Sequence, residues 1–205
     1  MKSAPLSFLG FKKLILGSKE SPDDLLMSEA LKSVEKANYG GKKLPAELAS
    51  RCPFLSPEKR VLQLFCGSGE TVCYIAWKYG ARVVGTTEIM RMAAPSKKAA
   101  RKLELQCRFM RADSEKGMRL KKGSADVVIS FRTPKAQHNM DGLLAEVLQV
   151  LAAEGICLWV TATDGEQKRL ELAAARNGAR ALHVWHGEYA AGRQGMVYWI
   201  NYLVR

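Results

Sequence analysis

A chain of 205 residues, 47% hydrophobic and 25% charged, can bury one substantial core and does not have a disordered composition. No apolar run approaches the roughly 20 residues that span a membrane. The five cysteines lack C-x-x-C spacing and make no metal motif with His138, His183 or His186, which argues against zinc and for reduced, buried thiols in an intracellular compartment. The net charge of +12 points toward polyanionic partners such as nucleic acid, anionic lipid or an acidic protein face.

Residues 1–57 form an N-terminal extension. Lys2, Lys12, Lys13 and Lys19 precede any acidic residue, and Phe8, Leu9, Phe11, Leu14, Ile15 and Leu16 supply an apolar side. An organelle-targeting segment and a docking arm both fit this pattern. Ser21-Pro22-Asp23-Asp24 is a helix start, with a capping serine, proline at the first helical position and carboxylates at the positive end of the helix dipole. Leu26, Met27, Ala30, Leu31 and Val34 continue at helical spacing to a stop at Gly40-Gly41, and a proline-bearing linker follows.

Residues 58–205 alternate regularly. Strands are expected over 61–66, 82–87, 106–111, 125–131, 155–161, 181–187 and 196–204, and helices over 70–79, 94–104, 140–152 and 166–177. The first five strands are separated by helices or long crossings, which demands parallel pairing with right-handed crossovers. The last two, joined by Gly187–Gly195 without a helix, are expected as an antiparallel pair at one edge. The class is α/β, with a seven-stranded, mostly parallel sheet.

Two features carry chemistry. In Val61-Leu62-Gln63-Leu64-Phe65-Cys66-Gly67-Ser68-Gly69-Glu70 an apolar strand ends in a glycine-bearing turn that opens a helix. Such a turn leaves backbone N–H groups bare where a cofactor can approach. A dinucleotide-binding fold would want a third glycine opening the helix, and Glu70-Thr71-Val72 has none. The second feature is the charge run: from Arg91 to Lys122 eleven basic residues face three acidic ones. Lys97, Lys98, Arg101, Lys102, Arg119, Lys121 and Lys122 are the residues expected to meet nucleic acid or another partner. Cys66 is expected as a packed small residue, and Trp77, Trp159, Trp185 and Trp199 as core or sheet-face packing. His138 is a minor candidate base, while His183 and His186 suit structural roles.

Leu62–Gly69 is similar to the D-x-F-C-G-S-G form of nucleic-acid methyltransferases. Ala125–Ser130 resembles the fourth strand, and Leu143–Gly155 the helix–turn–fifth strand passage, of the class I S-adenosylmethionine-dependent methyltransferases. The resemblance implies a Rossmann-like fold over about 58–205 and a cofactor site of Gln63, Phe65, Gly67, Ser68, Gly69, Thr87, Glu88, Asp113, Ser114 and Ser130. It also exposes departures. The family has an acidic residue where Gln63 stands and a ribose-binding carboxylate where Thr87 stands, with Glu88 the nearest replacement. Phe131-Arg132-Thr133-Pro134 lacks the acceptor that holds a base amine in amine-methylating members.

Two readings follow. One is a methyltransferase-like pseudoenzyme with a weakened or lost S-adenosylmethionine site, acting as a binding or structural subunit of a large protein or ribonucleoprotein assembly. Its setting would be intracellular, with the mitochondrial matrix or the cytoplasm as compartment. The other is an active S-adenosylmethionine-dependent methyltransferase acting on RNA, protein or a small molecule.

Overall fold

The structure, a computed structural model, describes residues 55–112, 120–131, 139–191 and 194–204, with 183–191, 194–199 and 204 described by backbone alone. Strand β1 (Arg60–Leu64) is buried at every position after Arg60 because both of its faces are covered. Val61 joins a cluster with Val72, Ile75, Val83 and Ile129, while Leu62 and Leu64 join Val128, Leu144 and Trp159 on the other side. Helix α1 (Glu70–Tyr79) follows and stops at Gly80 in the left-handed region, φ 67°. Next come β2 (Arg82–Thr87), a 3-10 turn (Met90–Ala93), helix α2 (Ala94–Lys102) and β3 (Cys107–Arg111).

The second half contains β4 (Ala125–Ser130), α3 (Met140–Val150), β5 (Leu151–Thr161), α4 (Asp164–Arg176), β6 (Arg180–Ala191) and β7 (Gln194–Val204). The sheet order is β3-β2-β1-β4-β5-β7-β6. The first five strands are parallel, and β7 lies antiparallel between β5 and β6. Helices α1 and α2 contribute to one core cluster, and α3 and α4 to the other, so the sheet is covered on both faces. The expected seven-stranded α/β architecture is the observed one.

The boundaries differ in three places. Helix α3 passes into β5 at Leu151 with no intervening turn, because Ala125 pairs with Leu151 whereas Val127 pairs with Ile156. A bulge at 152–155 absorbs the extra residues. The final hairpin does not open at Gly187; its strands stay paired to Ala191–Gln194, leaving only 192–193 between them. Helix α4 starts at Asp164, earlier than expected, because Thr163 Oγ1 accepts the Glu166 amide at 3.2 Å while Glu166 Oε2 accepts the Ala162 amide at 2.8 Å.

Among the described residues no helix is long and apolar enough to cross a membrane. The N-terminal extension lies outside the described residues, apart from its last few.

Candidate cofactor site and basic surface

The turn after β1 adopts left-handed backbone at alternate residues: Phe65 (φ 51°), Gly67 (φ 55°) and Gly69 (φ 83°). Phe65 has a side chain, so its conformation costs about 1–2 kcal/mol. Contacts with β2 help hold it there. The Cys66 amide donates to the Thr86 carbonyl at 2.7 Å, and the Phe65 amide donates to Thr86 Oγ1 at 3.3 Å. The Gly69 amide donates back to the Cys66 carbonyl at 2.9 Å. The amides of Gly67 and Ser68 make no hydrogen bond with the described residues, so they are the donors this turn presents.

Packing as well as ligand approach explains the second glycine of the turn. A Cβ on Gly69 would stand 2.2 Å from the Phe109 ring, which β3 places against the turn. Gly85 is likewise filled by Val72 and by Cys66, whose Sγ would lie 2.8 Å from an added Cβ. Cys66 is therefore the packed small residue expected.

Gln63, Phe65, Gly67, Ser68, Gly69, Thr87, Glu88 and Ser130 all sit at or just beyond the carboxyl ends of β1, β2 and β4, which neighbour one another in the sheet. Successive strands run outward in opposite directions from the β1–β4 boundary, and open α/β sheets bind ligands at such a switch point. Gln63 is 3% exposed and its Oε1 has no hydrogen-bond partner among the described residues. Thr87 is buried, its Oγ1 accepting the Ile89 amide at 3.4 Å and its carbonyl accepting the Ala112 amide at 3.1 Å. Glu88 is exposed and Ser130 buried. Asp113, Ser114, His138 and Arg132–Pro134 lie outside the described residues, as do the side chains of His183, His186, Trp185 and Trp199.

Sequence reasoning passed over Glu70 as a site residue. It opens α1 directly after Gly69, is almost fully buried, and lies at the helix's positive end. Its position after the turn was legible; its burial was not.

The basic residues separate into two groups. Lys97, Lys98, Arg101 and Lys102 are exposed along α2, whose buried side consists of the small residues Ser96, Ala99 and Ala100. Lys121 and Lys122 are exposed just before β4, at the opposite end of the strands from the glycine turn. Arg119 lies outside the described residues. A groove of about 460 Å³ runs between α2 and β3, lined by Lys97, Arg101, Cys107 and Arg108 among others. A second hollow of about 490 Å³ lies at the amino ends of β1–β4, bordered by Arg60, Arg82, Leu105, Arg108, Ser124 and Val150. Beside it, Arg60 grips Asp126 through Nε at 3.0 Å and Nη2 at 2.6 Å. Those hydrogen bonds hold the Asp126 carboxyl below the usual carboxylate range.

The strand order, the glycine turn after β1 and the antiparallel end together define a class I methyltransferase fold. Residues 62–159, from β1 through most of β5, match the family model described as a methyltransferase domain. With that match, which covers a little under half of the chain, and its structural neighbours, the chain resembles the class I S-adenosylmethionine-dependent methyltransferases and shares their fold.

One similar structure is geranyl diphosphate C-methyltransferase from Streptomyces coelicolor A3(2), in complex with Mg2+, geranyl diphosphate and S-adenosyl-L-homocysteine. It is 14% identical with a TM-score of 0.61, over 92% of this chain and 86% of that one. Precorrin-6y C5,15-methyltransferase from Geobacter metallireducens GS-15 is 12% identical with a TM-score of 0.62, over 80% and 87%. The [4+2]-cyclase SpnF is 16% identical with a TM-score of 0.59, over 72% and 61%. Identities this low establish a shared fold, and the cyclase illustrates that the fold does not dictate one reaction. A search of curated proteins gave no match.

Proposed function

We propose that this chain is a methyltransferase-fold binding subunit whose grip on S-adenosylmethionine is weakened or lost. The carrying observation is Thr87: at the ribose-binding position of the family stands a buried, neutral side chain whose hydroxyl already accepts the Ile89 amide. Gln63 supports the same reading. Its unpartnered Oε1 can accept a hydrogen bond from an ammonium group but brings no charge to meet it. The backbone of the turn thus suits the cofactor in shape, while these two positions do not suit it in charge. A hydrogen bond to a charged group is worth about 1.5–3 kcal/mol, or roughly one to two decades of affinity.

The partner class follows from charge. The exposed bases of α2, together with Arg108 and Arg111 on β3, suit RNA within a large intracellular assembly. Asp113 and Ser114 remain assigned to the cofactor and Arg119 to the partner, and all three lie outside the described residues. The basic, apolar residues 1–57 suit a docking arm or a mitochondrial targeting segment.

Restoring the missing charges tests the cofactor half of the proposal. The pair Gln63→Asp and Thr87→Asp should raise S-adenosylmethionine affinity in equilibrium dialysis by roughly tenfold or more. Unchanged or weaker binding in a folded double variant would reject these positions as the cause. A second reading, an active methyltransferase acting on RNA, protein or a small molecule, is favoured by Glu70, a buried carboxylate that stands beside the turn.

A further inference from the structure

Cys73 on α1 and Cys107 on β3 are 34 residues apart in the chain, yet their sulfurs stand 3.9 Å apart and both are free thiols. Their surroundings differ. Cys73 is fully buried, and its single S–H can go either to the Ser96 carbonyl at 3.4 Å or to the Cys107 sulfur. Cys107 opens the edge strand, is only partly buried, and borders the groove that Lys97, Arg101 and Arg108 also line. The hydrogen bond between the sulfurs favours a thiolate on Cys107. The same bond, reinforced by burial, pushes the Cys73 thiol up. A partly buried cysteine beside a groove whose lining carries three cations and one carboxylate, Glu104, and backed by a buried thiol, is the arrangement of an exchanging and a resolving cysteine.

We propose that Cys107 and Cys73 form a thiol–disulfide switch whose oxidant is a small anionic disulfide of the glutathione type, received in the groove between α2 and β3. The Cys107 thiolate attacks one sulfur of the incoming disulfide, forming a mixed disulfide and releasing one glutathione thiolate. Cys73 then attacks the Cys107 sulfur. Its proton passes to solvent or to the departing thiolate, and the second glutathione leaves. The protein dithiol loses two electrons and two protons, and one disulfide becomes two thiols. Closing the bond needs the sulfurs to approach by about 2 Å, and β3, bonded to a neighbour on one edge only, can supply that movement. The Cys73 amide donates to the Gly69 carbonyl at 3.2 Å, so oxidation would be felt directly at the glycine turn.

The test treats the reduced full-length protein with oxidised glutathione and maps its disulfides by mass spectrometry without reduction. The wild type should yield a peptide pair joining Cys73 to Cys107, a reading that needs no substitution. Cys73→Ser should trap glutathione on Cys107, and Cys107→Ser should leave Cys73 unmodified. The variant Lys97→Glu with Arg101→Glu should slow the reaction by roughly tenfold with oxidised glutathione but not with neutral hydroxyethyl disulfide. Absence of the Cys73–Cys107 link in the wild type overturns the switch. Equal slowing with both oxidants overturns the role of the groove. Neither result depends on S-adenosylmethionine or RNA binding.

Discussion

Two buried amides, three strands apart in one sheet, have opposite surroundings. Asn201 on β7 is wholly buried and its amide is paired on both sides. Its Oδ1 accepts from Gln167 Nε2 at 2.8 Å, and its Nδ2 donates to the Trp159 carbonyl at 3.2 Å and to Thr161 Oγ1 at 3.3 Å. Thr161 Oγ1 donates in turn to Gln167 Oε1 at 2.7 Å, closing a ring that ties α4 to β5 and β7. Gln63 on β1 is nearly as buried, yet its Oε1 has no partner among the described residues. Buried polar atoms are normally satisfied, and each exception calls for a cause. Here the exception falls at the proposed cofactor site, whereas the satisfied network serves the fold. The difference separates a structural end of the sheet from the end at which a ligand is proposed.

The largest effect should come from breaking the satisfied end. Asn201→Ala strands the partners on Gln167 and Thr161, and a loss of about 2–4 kcal/mol is expected in urea unfolding. A loss below about 1 kcal/mol would mean that the network is not holding the sheet together. At the other end, Gly69→Ala combines a left-handed φ with a clash against the Phe109 ring, for an expected loss of about 2–3 kcal/mol. Adding Phe109→Leu should recover part of that loss, and purely additive losses would contradict the contact between ring and glycine.

The Arg60–Asp126 pair belongs to neither end and serves as an internal reference. The Asp126 side chain is 22% exposed and that of Arg60 41%, so solvent screening holds the expected cost of Asp126→Asn to about 1 kcal/mol. The folded carboxyl titrates lower than the unfolded one. Its contribution is therefore fully present above the unfolded value of about 3.9, and is lost as pH falls through the lowered folded value. Acid titration of the wild type against Asp126→Asn should show the two stabilities converging at low pH. Smallest of all, Gln63→Met should leave stability within about 0.5 kcal/mol or raise it slightly, since it removes an unsatisfied buried acceptor. A loss as large as that of Asn201→Ala would place Gln63 in a structural network and erase the contrast.

The parallel core was legible because β1, β2 and β4 are buried on both faces and read as apolar runs bounded by turn residues. The start of β5 was hidden: Leu151 is apolar whether it ends a helix or begins a strand, and only its pairing with Ala125 decides. The head of α4 could have been read from Thr163 and Glu166, whose spacing is that of a capping box. Gly187 looked like a turn residue, but it pairs with Tyr198 within a ladder that runs regularly from Trp185 to Ala191.

At the candidate site, the order of residues along the strand and turn was enough to place the glycine turn after β1. Depth was not available from order. The filling of Gly69 by Phe109, the burial of Glu70 and the meeting of Cys73 with Cys107 depend on how β3 and α1 are phased against each other. Residues distant in sequence set that phase.

Affinity for S-adenosylmethionine is measured directly by titration calorimetry of the purified chain. Heat that stays at the dilution baseline up to millimolar cofactor is the predicted result. A saturable isotherm with a low-micromolar Kd would contradict the account and return the chain to the enzymes.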